Sequence, residues 1–253
     1  MFLVNYYILI ILEGHKMEDI ANILDWIKEN NEINLSLSNF VEENPVYSAE
    51  RVGDSVLVRG ISDHPWVYID SNSEEELQQL ALGINSQDKY FAAIEDWMLP
   101  LVLKDRTPSW RIKTYQYILP VDIDIPEPEH DTFPLSPNDA DYIFTNSNYK
   151  NILSSSYIKE RIMKGYSAGL KENGKLVAWI LTHDDGAIGS LHVIKEYRHK
   201  GYAHSVVVAL LHKLRDEGKK PFLYIDDPNK AAADLLRGLG FVRKTHVNWV
   251  EID

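Results

Sequence analysis

Apolar residues in this chain change their spacing several times, and each change marks an element. Met17, Ile20, Ile23, Leu24 and Ile27 recur at three and four positions, which predicts a helix over 17–29. Over 46–60 the pattern becomes two strands about a turn at Gly53-Asp54, with SVLVRG in the second. WVYID (66–70) is a further strand. Ser73 then caps a helix through EEELQQLALGI, with Glu76 three residues on as in a capping box. FAAIEDWMLPLVL (91–103) predicts a second helix, ended or kinked at Pro100. Residues 110–119, WRIKTYQYIL, alternate like a strand and stop at Pro120.

The next stretch, 121–137, holds four prolines (Pro126, Pro128, Pro134, Pro137) and five acids (Asp122, Asp124, Glu127, Glu129, Asp131). It cannot run as a helix or a central strand, so it is placed as a linker between an N-terminal domain (1–120) and a C-terminal domain (138–253). Beyond it the pattern predicts helices near 138–147 and at 154–164. Three strands follow over 166–194, joined by the hairpin dipeptides Asn173-Gly174 and Asp185-Gly186. A basic loop, RHKGYA (198–203), leads into a helix with apolar Val206, Val207, Ala209, Leu210 and Leu214. PFLYIDD is a buried strand, NKAAADLLRGLGF a helix capped by Asn229 and closed by Gly240, and VRKTHVNWVEI a last strand. The class is α+β.

Composition narrows the function. Hydrophobic residues are 45% of 253, enough for one large or two small cores. The absence of cysteine removes disulfides, thiolate metal sites and a cysteine nucleophile, and fits a reducing cytoplasm. Net charge is −12, of which residues 1–120, with 19 acidic and 9 basic side chains, carry −10. A chain this acidic is a poor general binder of nucleic acid, whereas the nearly balanced C-terminal half tolerates a polyanion. Phe2–Leu12 is strongly apolar but too short for a membrane span of about 20 residues, and lacks the flanks of a signal peptide. It reads as a buried strand or as an upstream extension, with Met17 a reasonable start. A soluble, cytoplasmic protein with no membrane partner is expected.

The candidate chemistry lies in Leu191–Gly218, where a strand, a tight loop containing Gly201 and a helix start come together. Loop N–H groups and the positive end of the helix dipole then converge on one place, and Arg198 and Lys200 add charge there. A solvated basic turn would look the same. The spacing Arg198-x-x-Gly201-x-Ala203 resembles the R/Q-x-x-G-x-G/A signature of the GCN5-related N-acetyltransferases (GNAT), five residues after an aliphatic Val193. The element order over 138–253 and the ending Asn229-x-x-Ala-x-x-Leu-Leu-x-x-x-Gly-Phe241 resemble that family too. Within it, WILTHDDGAIGSLHVIKEYRHKGYA is most similar to the glycine N-acyltransferase-like branch, whose N-terminal half is a degenerate copy of the fold. The resemblance thus implies a GNAT domain at 138–253 preceded by a degenerate GNAT-like domain with no cofactor loop.

It also implies a cofactor, acetyl-CoA or another acyl-CoA, and no metal. Arg198, His199, Lys200, Gly201, Tyr202 and Ala203 would surround the pyrophosphate, with His204 and Ser205 at the helix start. Val193, with Leu191, His192 and Ile194 beside it, would offer strand N–H groups to the pantetheine and the acyl carbonyl. Asn229 would contact the cofactor arm or simply cap its helix. The family's general base, a glutamate eleven residues before the motif arginine, is replaced by Ala187, and its general acid, a tyrosine in the last helix, by Leu236. Candidates for proton transfer are His192, with an ordinary pKa near 6.5, and Tyr224 and Asp226, two apart on one strand and so on one face. Asp184 and Asp185 read most simply as turn residues. The function implied is N-acyl transfer, most simply acetyl transfer, to a small amine or amino acid. Two alternatives stand beside it: a non-catalytic acyl-CoA-binding module, and acetylation of a protein or peptide amine. The oligomeric state is not encoded in any motif.

Overall fold

The computed structural model describes residues 14–30, 34–147, 150, 153–226 and 230–253. Phe2–Leu12 and Asn229 lie outside the described residues. The chain divides into two compact units, one of residues 1–112 with 247–253, the other of residues 113–246.

In the first unit, helices α1 (Gly14–Glu29) and α2 (Leu35–Glu43) precede an antiparallel meander of β1 (Val46–Val52), β2 (Ser55–Ile61) and β3 (Pro65–Asp70). Helix α3 (Glu74–Leu82) crosses to β4 (Tyr90–Glu95), which pairs parallel with β3. A short helix α4 (Leu99–Leu103) follows. The expected helix over 91–103 is therefore mostly a strand. Phe91, Ala92, Ala93 and Ile94 are all buried, and a strand covered on both faces shows a continuous apolar run with no alternation to betray it. Pro100 sits in the first turn of α4, where its missing N–H costs nothing, so it starts a helix instead of ending one.

Strand alternation splits this unit's core. Leu57, Val67, Ile69 and Phe91 join Leu77, Leu80 and Val102 on one side, while Val56, Val58, Tyr68 and Ala92 join Ile27, Leu37 and Phe40 on the other. Helix α2 is absent from the sequence reading, although Leu37, Phe40 and Val41 have helical spacing and Asn34 caps it by accepting from the Ser36 N–H.

In the second unit, β5 (Pro108–Ile118), which begins in the first, contributes Thr114–Ile118 to an antiparallel pairing with β9 (Phe222–Asp226). A 3-10 turn (Pro137–Asp139) and helices α5 (Ala140–Asn146) and α6 (Ser155–Lys164) lead to the antiparallel strands β6 (Ser167–Glu172), β7 (Lys175–Thr182) and β8 (Ile188–Val193). Both hairpin turns have the positive φ that Asn-Gly and Asp-Gly supply: 53° and 77° at Asn173 and Gly174, 79° at Gly186. Helix α7 (Tyr202–Asp216) packs Val206, Val207, Leu210, Leu211 and Leu214 against Val177, Ile180 and Ile188. Each such burial contributes about 1.5–3 kcal/mol. Helices α5 and α6 cover the opposite face around Trp179 and Leu181. Helix α8 (Lys230–Gly238) and β10 (Val242–Ile252) complete the chain.

The unit boundaries fall at 112/113 and 246/247, not at the proline-rich stretch. That stretch belongs to the second unit as a strap along α7. Ile123 and Ile125 pack on the core, Arg215 and His212 hydrogen-bond to the carbonyls of Pro120 and Pro126 (2.9 and 3.0 Å), and Phe133 bridges Gly169. Prolines forbid regular structure there, but the isoleucines between them still seek the core. From Val247 onward β10 belongs to the first unit, where Val247, Asn248, Val250 and Glu251 pair antiparallel with β4.

Candidate functional site

Two features of β8 shape the site. The first is a bulge. Trp179 pairs with His192 and Leu181 with Gly189, so three steps on β8 oppose two on β7, and Ser190 takes φ 53°. The extra residue resets the phase, so Ile188, Leu191 and Val193 all contact the α7-side core while Gly189 and His192 lie on the α6 side. The second is its partner. Strands β8 and β9 run parallel, and the pairing among the described residues is the single register Ile188↔Leu223. Beyond that point neither strand's facing N–H and C=O groups are used by the other. From Gly189 to Val193 on β8, and from Tyr224 to Asp226 on β9, those groups are left for another partner among the described residues.

The loop after β8 stands at the end of the strand away from that pairing. Lys195–Tyr197 form one 3-10 turn, and Arg198 Nε donates to the Val193 carbonyl at 3.1 Å, tying the loop back to the strand end. His199 and Gly201 take φ 62° and 79°, and two left-handed residues spaced this closely turn successive N–H groups inward. Gly201 is the N-cap of α7, which has no side-chain cap and no acid in its first turn. Helix α3, at the equivalent point of the first unit, begins with the Ser73 cap and three glutamates, Glu74, Glu75 and Glu76. That start gives the Glu76 N–H a side-chain acceptor, and its glutamates repel an anion. At the α7 start, His204 Nδ1 and Ser205 Oγ are buried without a partner among the described residues. Buried polar atoms without partners are costly, and a polar ligand relieves that cost.

Not every charge at the loop is open. Lys200 pairs with Glu172 of β6 at 3.3 Å, and the Tyr202 hydroxyl donates to the same carboxylate at 2.6 Å. Those contacts hold the Glu172 pKa below the usual carboxylate range, the Tyr202 bond being the largest cause, and raise that of Tyr202. Tyr202 thus helps fix the loop, and its ring stands edge-on to His130. The strap also reaches this point: His130 Nε2 lies 2.8 Å from the Lys200 carbonyl, and a Cβ built on Gly201 would meet Glu129 Oε2 at 3.0 Å. A strap carboxylate therefore neighbours the start of α7, which no motif in the sequence indicated.

The proton-transfer candidates are dispersed. His192 stacks on Trp179 (centroids 4.7 Å apart), and burial, then the nearby Arg198 charge, lowers its pKa from the ordinary value. Tyr224, half-buried, accepts a hydrogen bond from Gln116 Nε2 at 3.1 Å, and Asp226 is exposed at the strand end. Leu223 and Ile225 join the α7-side core, so alternation puts Tyr224 and Asp226 on the His192 side of the sheet. Ala187 is buried in the β7–β8 turn, and Leu236 is buried in the core. Asp185 accepts from the Ala187 N–H at 3.0 Å, as a turn residue should. Asp184 does more than turn the chain: it accepts from the Tyr157 hydroxyl at 2.9 Å, and that oxygen lies 3.1 Å from His183 Nδ1. His183 and Tyr157 are 26 residues apart on separate elements, so only the fold brings them together.

Residues 166–250 match the model of a family described as FR47-like protein. No curated protein sequence matches the chain. Among solved structures it is similar to a Drosophila protein, with TM-score 0.75 and 15% identity over 93% of this chain and 96% of that one. It is also similar to a GCN5-related N-acetyltransferase-like protein from Streptococcus suis, with TM-score 0.57 and 14% identity over 95% and 99% of the two chains. A tandem GNAT protein from the clavulanic acid biosynthesis pathway matches with TM-score 0.50 and 12% identity over 86% and 87%. At such identities the likeness is one of fold.

Proposed function

We propose that this chain, whose fold is that of the GNAT acetyltransferases and whose residues 166–250 fit the FR47-like family, is an acyl-CoA-dependent N-acyltransferase. The family comparison and the structural neighbours support the GNAT superfamily; the likeness of residues 179–203 to the glycine N-acyltransferase-like branch supports a small amine or amino acid as the acceptor. The observation that carries the reading is the uncapped, acid-free start of α7, with Gly201 at φ 79° and two buried polar atoms that lack partners among the described residues, beside strands β8 and β9 that pair only at Ile188↔Leu223. In this reading the N–H groups of Gly201 to His204 hold the coenzyme pyrophosphate, and Arg198 and His199 lie along it. The pantetheine arm runs into the opening between β8 and β9, taking hydrogen bonds from the strand groups near Leu191 and Val193. The acyl carbonyl would then rest by the bulge at Ser190, where N–H groups can polarise it. Asn229 remains a candidate contact to the cofactor arm.

Element order supports a degenerate copy in the first unit. Its sequence α-α-β-β-β-α-β, with an antiparallel meander followed by a parallel pair, repeats that of the second unit. Its acidic, self-capped α3 argues against a second cofactor site there. Among the described residues no helix is long and apolar enough to cross a membrane, and no cluster of three metal-ligating side chains occurs.

Calorimetric titration with acetyl-CoA tests the reading. Binding in the micromolar to low-millimolar range is expected for the wild type and none for Gly201→Glu, and a wild type that ignores millimolar acetyl-CoA refutes it. A non-catalytic binding module is the second reading, favoured by Ala187 and Leu236 both lying buried with no titratable group. It predicts binding without thiol release.

A further inference from the structure

We propose that His183 is the general base of the acyl transfer, held in its reactive tautomer by Tyr157 and Asp184. The inference rests on the N-acyltransferase reading and names the group that stands in for the glutamate that Ala187 replaces. Its place comes from the β8–β9 pairing. The β8–β9 pair is closed at Ile188↔Leu223, and an acyl arm entering from the α7 end reaches its limit at Gly189 and Ser190. His183 lies over that point: a Cβ built on Gly189 would overlap its Nε2. The imidazole thus occupies the space that a side chain at 189 would fill. The His183 N–H also bonds to the Ala187 carbonyl at 2.8 Å, so the histidine and the lost glutamate position are the two ends of one turn. His192 is the poorer candidate. It lies three positions further along β8, stacked on Trp179, and both burial and Arg198 disfavour its charged form.

Tyr157 fixes the tautomer. Its hydroxyl has one proton, and at 2.9 Å it gives that proton to the Asp184 carboxylate, which only accepts. Toward His183 Nδ1, at 3.1 Å, the phenol oxygen can therefore only accept, so Nδ1 carries the ring proton and Nε2 the lone pair. The Asp184 N–H also points at the same oxygen (3.4 Å). Tyr157 is buried in the first turn of α6, so the ring is held by a packed anchor. This is the arrangement of a base oriented by a second group and a carboxylate.

The step balances as follows. A neutral amine attacks the thioester carbonyl carbon, forming the N–C bond, and its proton passes to His183 Nε2. The C–S bond breaks with its electron pair on sulfur, and the imidazolium returns the proton to the thiolate. The products are the amide and free coenzyme A, and His183 ends neutral.

The test uses the full chain, acetyl-CoA, and a panel of free amino acids, polyamines and short peptides, with thiol release as the readout. His183→Gln is expected to keep its acetyl-CoA affinity within about threefold while kcat falls 100-fold or more, in line with general-base effects of about 10²–10⁴. Its residual rate should lose the acidic limb of the kcat pH profile. Tyr157→Phe, which keeps the packed ring, should lower kcat about tenfold. Nitrogen NMR of histidine-labelled wild type should show His183 protonated at Nδ1, with Nε2–H gaining population in Tyr157→Phe. A His183→Gln enzyme with kcat within threefold of wild type, or an Nε2–H tautomer in the wild type, overturns the assignment and leaves the acyltransferase reading standing. Acetyl-CoA binding with no thiol release over the panel overturns the assignment in favour of the binding module. No acetyl-CoA binding at all removes the reading beneath it.

Discussion

Gly201 and Gly174 have nearly the same backbone conformation, φ 79° and 77°, and very different surroundings. Around Gly174 a built Cβ meets nothing within 4 Å, whereas at Gly201 it meets Glu129 Oε2 at 3.0 Å and His130 Nε2 at 3.3 Å. Alanine at either position pays the left-handed penalty of about 1–2 kcal/mol, reduced by a few tenths to about 1 kcal/mol because alanine also restricts the unfolded chain. Each variant should therefore lose roughly 1 kcal/mol in urea denaturation. The extra contact at Gly201 adds little, since Glu129 is an exposed, flexible side chain that can swing away. Coenzyme binding separates the two. If the N–H groups at the α7 start cradle a pyrophosphate, a methyl there and the displaced loop should weaken acetyl-CoA binding tenfold or more, about 1.4 kcal/mol. Gly174→Ala, in a β-hairpin turn, should leave the affinity unchanged. Titrating both variants against acetyl-CoA decides it: equal affinities in Gly201→Ala and Gly174→Ala would refute the cradle even if both lose the expected stability.

Glu129→Gln should tighten acetyl-CoA binding a few-fold at low salt by removing a negative charge beside the anion site, and the gain should fade near 0.5 M salt in the same titration. His192 should titrate below the ordinary histidine value of about 6.5 in an NMR pH series. Because its folded pKa is lowered, the unfolded state takes up the proton first, so stability should fall as pH drops through the window just below 6.5 and be unaffected above it. His192→Gln should flatten that slope in urea melts at pH 5 and 7.5. Deleting 247–253 removes the buried Val247, Val250 and Ile252, a loss of about 5–9 kcal/mol at 1.5–3 kcal/mol each, comparable with a domain's whole stability. Limited proteolysis should then digest 14–112 faster than 113–246.

Local chemistry made most elements legible. Asn173-Gly174, Ser73 and the α7 stripe each fix their own conformation within a few residues. The pattern of residues 91–94 does not show a strand, because burial on both faces erases the period. The strap does not show in the pattern, because prolines announce a break but do not say what the isoleucines between them pack against. At the site, the sequence revealed the loop, whose parts are contiguous. It hid the Tyr157–His183–Asp184 cluster, which depends on a helix start meeting a hairpin turn. Glu129 was hidden likewise, since 72 residues of chain separate it from Gly201.

The placement of the last residues has a consequence during synthesis. Asn248 bonds to Asp96 across 152 residues of sequence. At about 5–20 residues per second, roughly 8–30 s pass between translation of β4 and of the strand that pairs with it. Throughout that interval β4, an apolar strand, keeps one row of its backbone groups without that partner, as a sheet edge does. The unit made first is thus the one closed last, and its exposure to aggregation on the ribosome is set by the length of the other.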